Sequence, residues 1–149
     1  GRFNFHDVAD NQFTVDGYSV MSRLVPHIGP TVGYRIEFGG VSVAYISDHQ
    51  QPIDGSFSVP DGVRELVEGV DLLIHDAQYT PAEFVTKAHW GHCTAEFAVG
   101  IGMACGAKRV ALFHHDPERT DDELDNTTAC SASAGTEVFV AREGATIVL

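Results

Sequence analysis

The stretch Asp71-Leu-Leu-Ile-His75, followed by Asp76, decides the fold. Its apolar run is too short for a helix and ends in a His-Asp pair, so it reads as a short buried strand that delivers polar side chains at its end. Upstream, Asp61 is placed to cap a helix whose apolar positions Val63, Leu66, Val67 and Val70 recur at helical spacing. Downstream, Thr80-Pro81 starts a helix over roughly residues 81–87, with proline at the first helical position. Thr94 caps another helix, with Phe97, Ala98, Ile101 and Ala104 inward and Gly106 as its stop. Arg109-Val-Ala-Leu-Phe113 is the next strand, and Thr120 followed by Asp121, Asp122 and Glu123 opens an acid-rich helix matched to the helix dipole.

Further from the centre the rhythm is that of strands alone. Phe13-Thr-Val15 and Tyr18-Ser-Val20 flank Asp16-Gly17, a hairpin signal because both turn residues tolerate left-handed backbone. Met21–Pro26 continues as an apolar strand. Tyr34, Ile36 and Phe38 alternate with Arg35 and Glu37, and after Gly39-Gly40 the alternation resumes at Val41, Val43 and Tyr45, a second hairpin. Thr136–Ala141, a Glu143-Gly144 turn and Ala145–Leu149 read as a closing hairpin. Antiparallel strands, then strand–helix alternation, then a terminal strand pair make a sheet with helices on at least one face, an α/β (α+β) layer architecture. No repeat, low-complexity tract or linker divides the chain, so residues 1–149 are treated as a single unit.

Composition narrows the function classes. The 149 residues carry 9 Lys+Arg against 21 Asp+Glu, a net charge of −12, with 44% hydrophobic residues. That balance suits a globular domain and disfavours a broad nucleic-acid surface, which needs clustered cations to neutralise phosphates. The apolar stretches fall short of a membrane span. Three cysteines, Cys93, Cys105 and Cys130, cannot all pair within one chain and form no C-x-x-C; they read as reduced thiols in a cytoplasmic setting.

The eight histidines carry more information. Asp48 ends the strand Val41–Ser47, His75-Asp76 ends Leu72–Ile74, and His114-His115-Asp116 ends Val110–Phe113. His92, with His89 before it, lies in the loop ahead of the Thr94-capped helix, and His27 follows Met21–Pro26. Each alone has a plain structural reading: a surface histidine, a turn or capping aspartate, and for His115-Asp116-Pro117 a helix-entry turn. Their convergence at the ends of successive core elements is what such readings leave unexplained. Imidazole and carboxylate donors gathered in this way suit Zn²⁺, with Mn²⁺ or Fe²⁺ also compatible, and the chemistry is metal-assisted hydrolysis.

Five segments occur in order: His27-Ile-Gly-Pro-Thr-Val-Gly-Tyr-Arg-Ile-Glu37, Tyr45-Ile-Ser-Asp48, Leu73-Ile-His-Asp76-Ala-Gln-Tyr, Gly91-His-Cys-Thr94 and Leu112-Phe-His114. Together, over about residues 13–149, they resemble the metallo-β-lactamase superfamily, in the branch containing ribonuclease Z and related phosphodiesterases. The resemblance implies that His27 and His114 are metal ligands, that Asp48 bridges two metal ions, and that His92 is an active-site histidine paired with Asp76. His-Cys-Thr stands where the branch has His-Ser-Thr, and His49 where it has threonine, a change that either alters substrate contacts or marks another subgroup. His115 is left as a residue able to line the site. The family's H-x-H-x-D-H signature is absent from the sequence, and His6-Asp7 does not replace it. The expectation is therefore the C-terminal half of an αββα sandwich, inactive in isolation, that binds two zinc ions only when complete.

The leading expectation is a metal-dependent hydrolase of phosphodiesters, acting on a small phosphodiester or cyclic nucleotide rather than long RNA. The chain is expected to associate with itself or with the N-terminal half. The alternative is a non-catalytic binding or regulatory module on the same fold. A Cys93 nucleophile beside His92 is disfavoured, because sequence neighbours do not reach the geometry and Thr94 explains the local pattern as a cap.

Overall fold

The computed structural model describes residues 7–127 and 135–149. Seven strands lie side by side in chain order: β1 (Gln12–Val15), β2 (Tyr18–Val25), β3 (Thr31–Phe38), β4 (Val41–Ile46), β5 (Leu72–Asp76), β6 (Arg109–Phe113) and β7 (Glu137–Val140). The first four pair antiparallel, β1–β2 and β3–β4 through two-residue turns and β2–β3 through the five-residue loop that carries His27. At the first turn Asp16 and Gly17 both hold positive φ, 48° and 85°, as a two-residue hairpin of matched twist requires. From β4 onward the pairing is parallel, which forces a crossover between each pair of strands. Those crossovers carry α1 (Asp61–Val67), α2 (Pro81–Lys87), α3 (Ala95–Ala104) and α4 (Asp121–Thr127).

Helices α1 and α3 cover one face of the sheet, α1 over β2 and β3, α3 over β5 and β6. Between them lies the core: Ala44, Ile46, Leu73, Val110 and Leu112 from the strands meet Val63, Leu66, Val67, Phe97, Ala98 and Ile101 from the helices. On the other face the side chains alternate outward. Leu24, Ile36, Tyr45 and Phe113 are all exposed there, an apolar stripe crossing the middle of the sheet.

Several local expectations change. Pro60, not Asp61, occupies the N-cap of α1, and no side chain caps it; Asp61 sits in the first turn, where its charge complements the helix dipole. Thr80 and Thr94 do cap α2 and α3, Thr80 in a reciprocal capping box with Glu83. Ala104 is exposed, and Cys105 takes the inward position instead. The closing hairpin is not formed: β7 pairs parallel with β6, and residues 145–149 follow the turn without strand pairing. The Arg109 guanidinium holds that tail through the Val148 carbonyl. Cys93 and Cys105 are free and buried; His6 and Cys130 lie outside the described residues. No helix among the described residues is long and apolar enough to cross a membrane.

Candidate active site

Strands β4, β5 and β6 are parallel, and β2 runs in the same direction because two antiparallel steps separate it from β4. The C-terminal ends of all four therefore open on one edge, where α/β sheets present ligands. His27 leaves β2 there, Asp48 β4, Asp76 β5 and His114 β6. The sheet topology brings together residues that are up to 87 positions apart in the chain (114 − 27).

His27, Asp48 and His92 each offer a donor atom, and these atoms lie within 4.8 Å of one another. The Nε2 atom of His27 is shielded from solvent and has no hydrogen-bond partner among the described residues, an arrangement that costs free energy unless a ligand completes it. The Nε2 atom of His114 stands 3.7 Å from Asp48 Oδ1, and its ring lies 4.8 Å from that of His92. His114 holds φ at +54°, a left-handed backbone that turns the chain sharply at the end of β6. His115, the next residue, lines a separate cavity with Tyr79, Thr80 and Arg119, away from the cluster, and burial lowers its pKa. His89 is exposed.

His92 is held by Asp76, whose Oδ2 accepts the Nδ1 proton at 2.7 Å. That hydrogen bond raises the His92 pKa; burial opposes it, and the Asp76 and Asp48 charges add to it. Asp76 is fully buried and also accepts the His49 and Gln78 backbone N–H groups, both at 3.1 Å. With its Nδ1 proton committed, His92 has only Nε2 left for the site.

His49 is turned into the core. It is fully buried, packed edge-on against Phe97 and 2.9 Å from His75 Nε2 through its Nδ1. His75 Nδ1 in turn lies 2.7 Å from the Asp76 carbonyl, which can only accept. His75 therefore carries its proton on Nδ1, and His49 donates to His75 Nε2. Burial pushes both pKa values down, His49 further because His75 adds to the effect, so both rings stay neutral. Cys93 packs beside them, its thiol pushed well up by burial and donating to the Asp76 carbonyl. A thiol held in that state is a poor nucleophile.

Two residues that sequence reasoning passed over fasten the site. Gln50 accepts from the Gly91 N–H and donates to the Ala88 carbonyl, and Gln51 accepts from the Thr94 N–H and hydroxyl. The loop after β4 thus grips the loop that carries His92. Gly91 is required where it is: its φ is +100°, and a Cβ there would stand 2.6 Å from His27 Nε2. Gly91→Ala is expected to cost about 2 kcal/mol through that backbone conformation alone, read as a lower thermal midpoint.

The model for the β-lactamase superfamily domain matches residues 2–115. The chain belongs to this family. Ribonuclease Z of Halobacterium salinarum is 36% identical to it over 86 residues, 58% of this chain and 28% of that protein. Among solved structures, a diphosphatase of the PhnP family superposes with a TM-score of 0.67 at 25% identity, over 94% of this chain and 46% of the other. Zn²⁺-bound PqqB of Methylobacterium extorquens does so with a TM-score of 0.69 at 22% identity, over 95% and 54%. The chain thus spans about 28% of that ribonuclease Z in alignment and about half of the two solved chains.

Proposed function

We propose that residues 1–149 act as a single unit forming the C-terminal part of a metal-dependent phosphodiester hydrolase. The observation that carries this reading is the junction of His27, Asp48, His92 and His114 at one sheet edge, with the buried Nε2 of His27 left without a partner among the described residues. His27, Asp48 and His114 would hold metal, Asp48 between two ions. Their mixed nitrogen and oxygen donors fit Zn²⁺, with Mn²⁺ or Fe²⁺ as alternatives. When bound, the ions supply Lewis-acid polarisation of a phosphoryl oxygen.

The chain's own residues supply the rest. His92 presents Nε2 toward the cluster, and in its protonated form that atom donates to an anionic phosphoryl oxygen or to the leaving oxygen. Asp76 is a positioning residue: it fixes the His92 ring and stabilises its charge without touching substrate. Gly91, Gln50 and Gln51 hold the His92 loop against His27 and the segment after β4.

A net charge of −12 favours a small phosphodiester or cyclic nucleotide over long RNA, whereas the relative named ribonuclease Z pulls toward RNA. The apolar stripe of Leu24, Ile36, Tyr45 and Phe113 suits burial under a second sheet, as in an αββα sandwich, or under another copy. With Asp48 shared, each ion would have two protein ligands from these residues, and a catalytic zinc takes about three. Residues 1–149 alone are therefore expected to hold zinc weakly and turn over little.

The test is hydrolysis of bis(p-nitrophenyl) phosphate by the protein extended to the full length of its relatives. Asp48→Ala is expected to abolish turnover and zinc retention together. Unchanged hydrolysis in that variant overturns the assignment, and no hydrolysis by the unaltered protein favours a non-catalytic module.

A further inference from the structure

Beside the candidate metal cluster runs a groove of about 500 Å³, lined by Gln78, Tyr79, Lys87, Trp90, His92 and Asp116, among others. His92 belongs to both the groove and the cluster. Trp90, the single tryptophan of the chain, is 53% exposed on it, two residues before His92.

Trp90 closes the end of α2, its N–H donating to the Lys87 carbonyl. The Lys87 ammonium sits 5.1 Å from the centre of the Tyr79 ring and 5.8 Å from that of Trp90, and is held by Asp116 at 3.0 Å. Tyr79 is buried and contributes the wall. The cation thus ties two aromatic faces together, with its charge already neutralised, and the groove offers little attraction for a second phosphate. What it offers is a π-face with acceptors around it: the Asp116 and Glu118 carboxylates, and the Gln78 side-chain amide, which has no hydrogen-bond partner among the described residues.

We propose that the groove between Trp90 and His92 is a nucleobase subsite: the base attached to the scissile phosphate stacks on Trp90 while its phosphate lies at the His27–Asp48–His114 cluster. This rests on the phosphodiesterase reading and makes it narrower, since it requires a nucleotide and not a simple alkyl diester. The acceptor-rich lining suits the exocyclic amino groups of a base, and an aromatic face accepts any base without sequence reading. Acidic walls match the unfavourable charge balance for long RNA, because only the nucleotide at the phosphate need enter.

The test needs no turnover, so its failure is separable from failure of the hydrolase reading. Trp90 fluorescence is followed while 5′-AMP or ribose 5-phosphate is titrated into the zinc-loaded protein extended to the full length of its relatives, with zinc content checked separately, and affinities are repeated by calorimetry for variants. The expected result is saturable quenching by AMP and none by ribose 5-phosphate. Trp90→Ala is expected to weaken AMP by about tenfold or more while Trp90→Phe restores most of the affinity. Because the side chain is half exposed, both variants should fold, and unchanged circular dichroism checks that. Equal affinity for the two ligands, binding of neither, or an AMP preference that survives Trp90→Ala overturns the proposal.

Discussion

In the protein extended to the full length of its relatives, Asp76→Ala is expected to lower the proposed hydrolysis by a factor on the order of 10²–10⁴, the usual contribution of a positioned acid–base group, while leaving zinc affinity in place. Asp76 holds three donors. Its Oδ2 takes the Nδ1 proton of His92 and the N–H of His49, and its Oδ1 takes the N–H of Gln78. None of these atoms belongs to His27, Asp48 or His114. Removing the carboxylate frees the His92 ring to rotate, removes the charge that favours its protonated form, and strands two backbone donors. The His49 amide is in a fully buried residue, so the stability cost is about 3 kcal/mol, or about 10 °C in the thermal midpoint for a chain of this size. Asp76→Asn retains one acceptor. With its oxygen turned toward His49 and His92, only the Gln78 amide loses its partner, and stability should fall by about 1 kcal/mol. Activity should still drop, because the neutral amide does not stabilise an imidazolium. The pair of variants therefore separates folding from chemistry. If zinc affinity falls in Asp76→Asn as far as in Asp48→Ala, His92 is a metal ligand and its role as proton donor is wrong.

How far these contacts could be read beforehand depends on their physical range. The hairpin at Asp16-Gly17, the caps at Thr80 and Thr94 and the buried strand ending at Asp76 are set by residues a few positions apart, and each forms where the sequence places it. The candidate ligands were legible because they end strands, and parallel strands share an edge. The fate of His49 was not legible. As the neighbour of Asp48 it reads as a substrate contact, yet it turns to the opposite side, into the core, because His75 and Phe97 offer it a partner and a packing surface. Those residues are 26 and 48 positions away (75 − 49 and 97 − 49), beyond any local pattern. The clamp made by Gln50 and Gln51 was invisible for the same reason. At the C-terminus the error was one of pairing. Thr136–Ala141 had the composition of a hairpin strand, but the edge of β6 was available after the α4 crossover, and β7 takes it in parallel.

Gly102→Ala and Gly100→Ala, two residues apart in α3, are expected to change stability in opposite directions. Replacing a helical glycine by alanine gains about 1 kcal/mol from reduced backbone freedom in the unfolded chain. At Gly100 the added Cβ would stand 2.7 Å from the Phe57 ring. That ring is half exposed and can swing outward, so the helix gain should survive and the thermal midpoint should hold or rise. At Gly102 the Cβ would overlap Val110 Cγ2, with Leu73 Cδ2 also in contact at 3.7 Å. Val110 is fully buried on β6 and has nowhere to move, so α3 must lift from the sheet. Overpacking of this kind costs about 1–3 kcal/mol for alanine, and a leucine at the same position should cost more. Because α3 begins at the Thr94 cap that anchors the His92 loop, the displacement should also loosen the site. A second substitution identifies the cause. Val110→Ala by itself leaves a cavity and destabilises, but combined with Gly102→Ala it removes the atom that clashes. The double variant is expected to be more stable than the sum of the single losses allows, by about 1 kcal/mol or more. Additive losses would mean that α3 is not seated on β6 by direct contact between Gly102 and Val110, and that the glycine is there for its backbone alone.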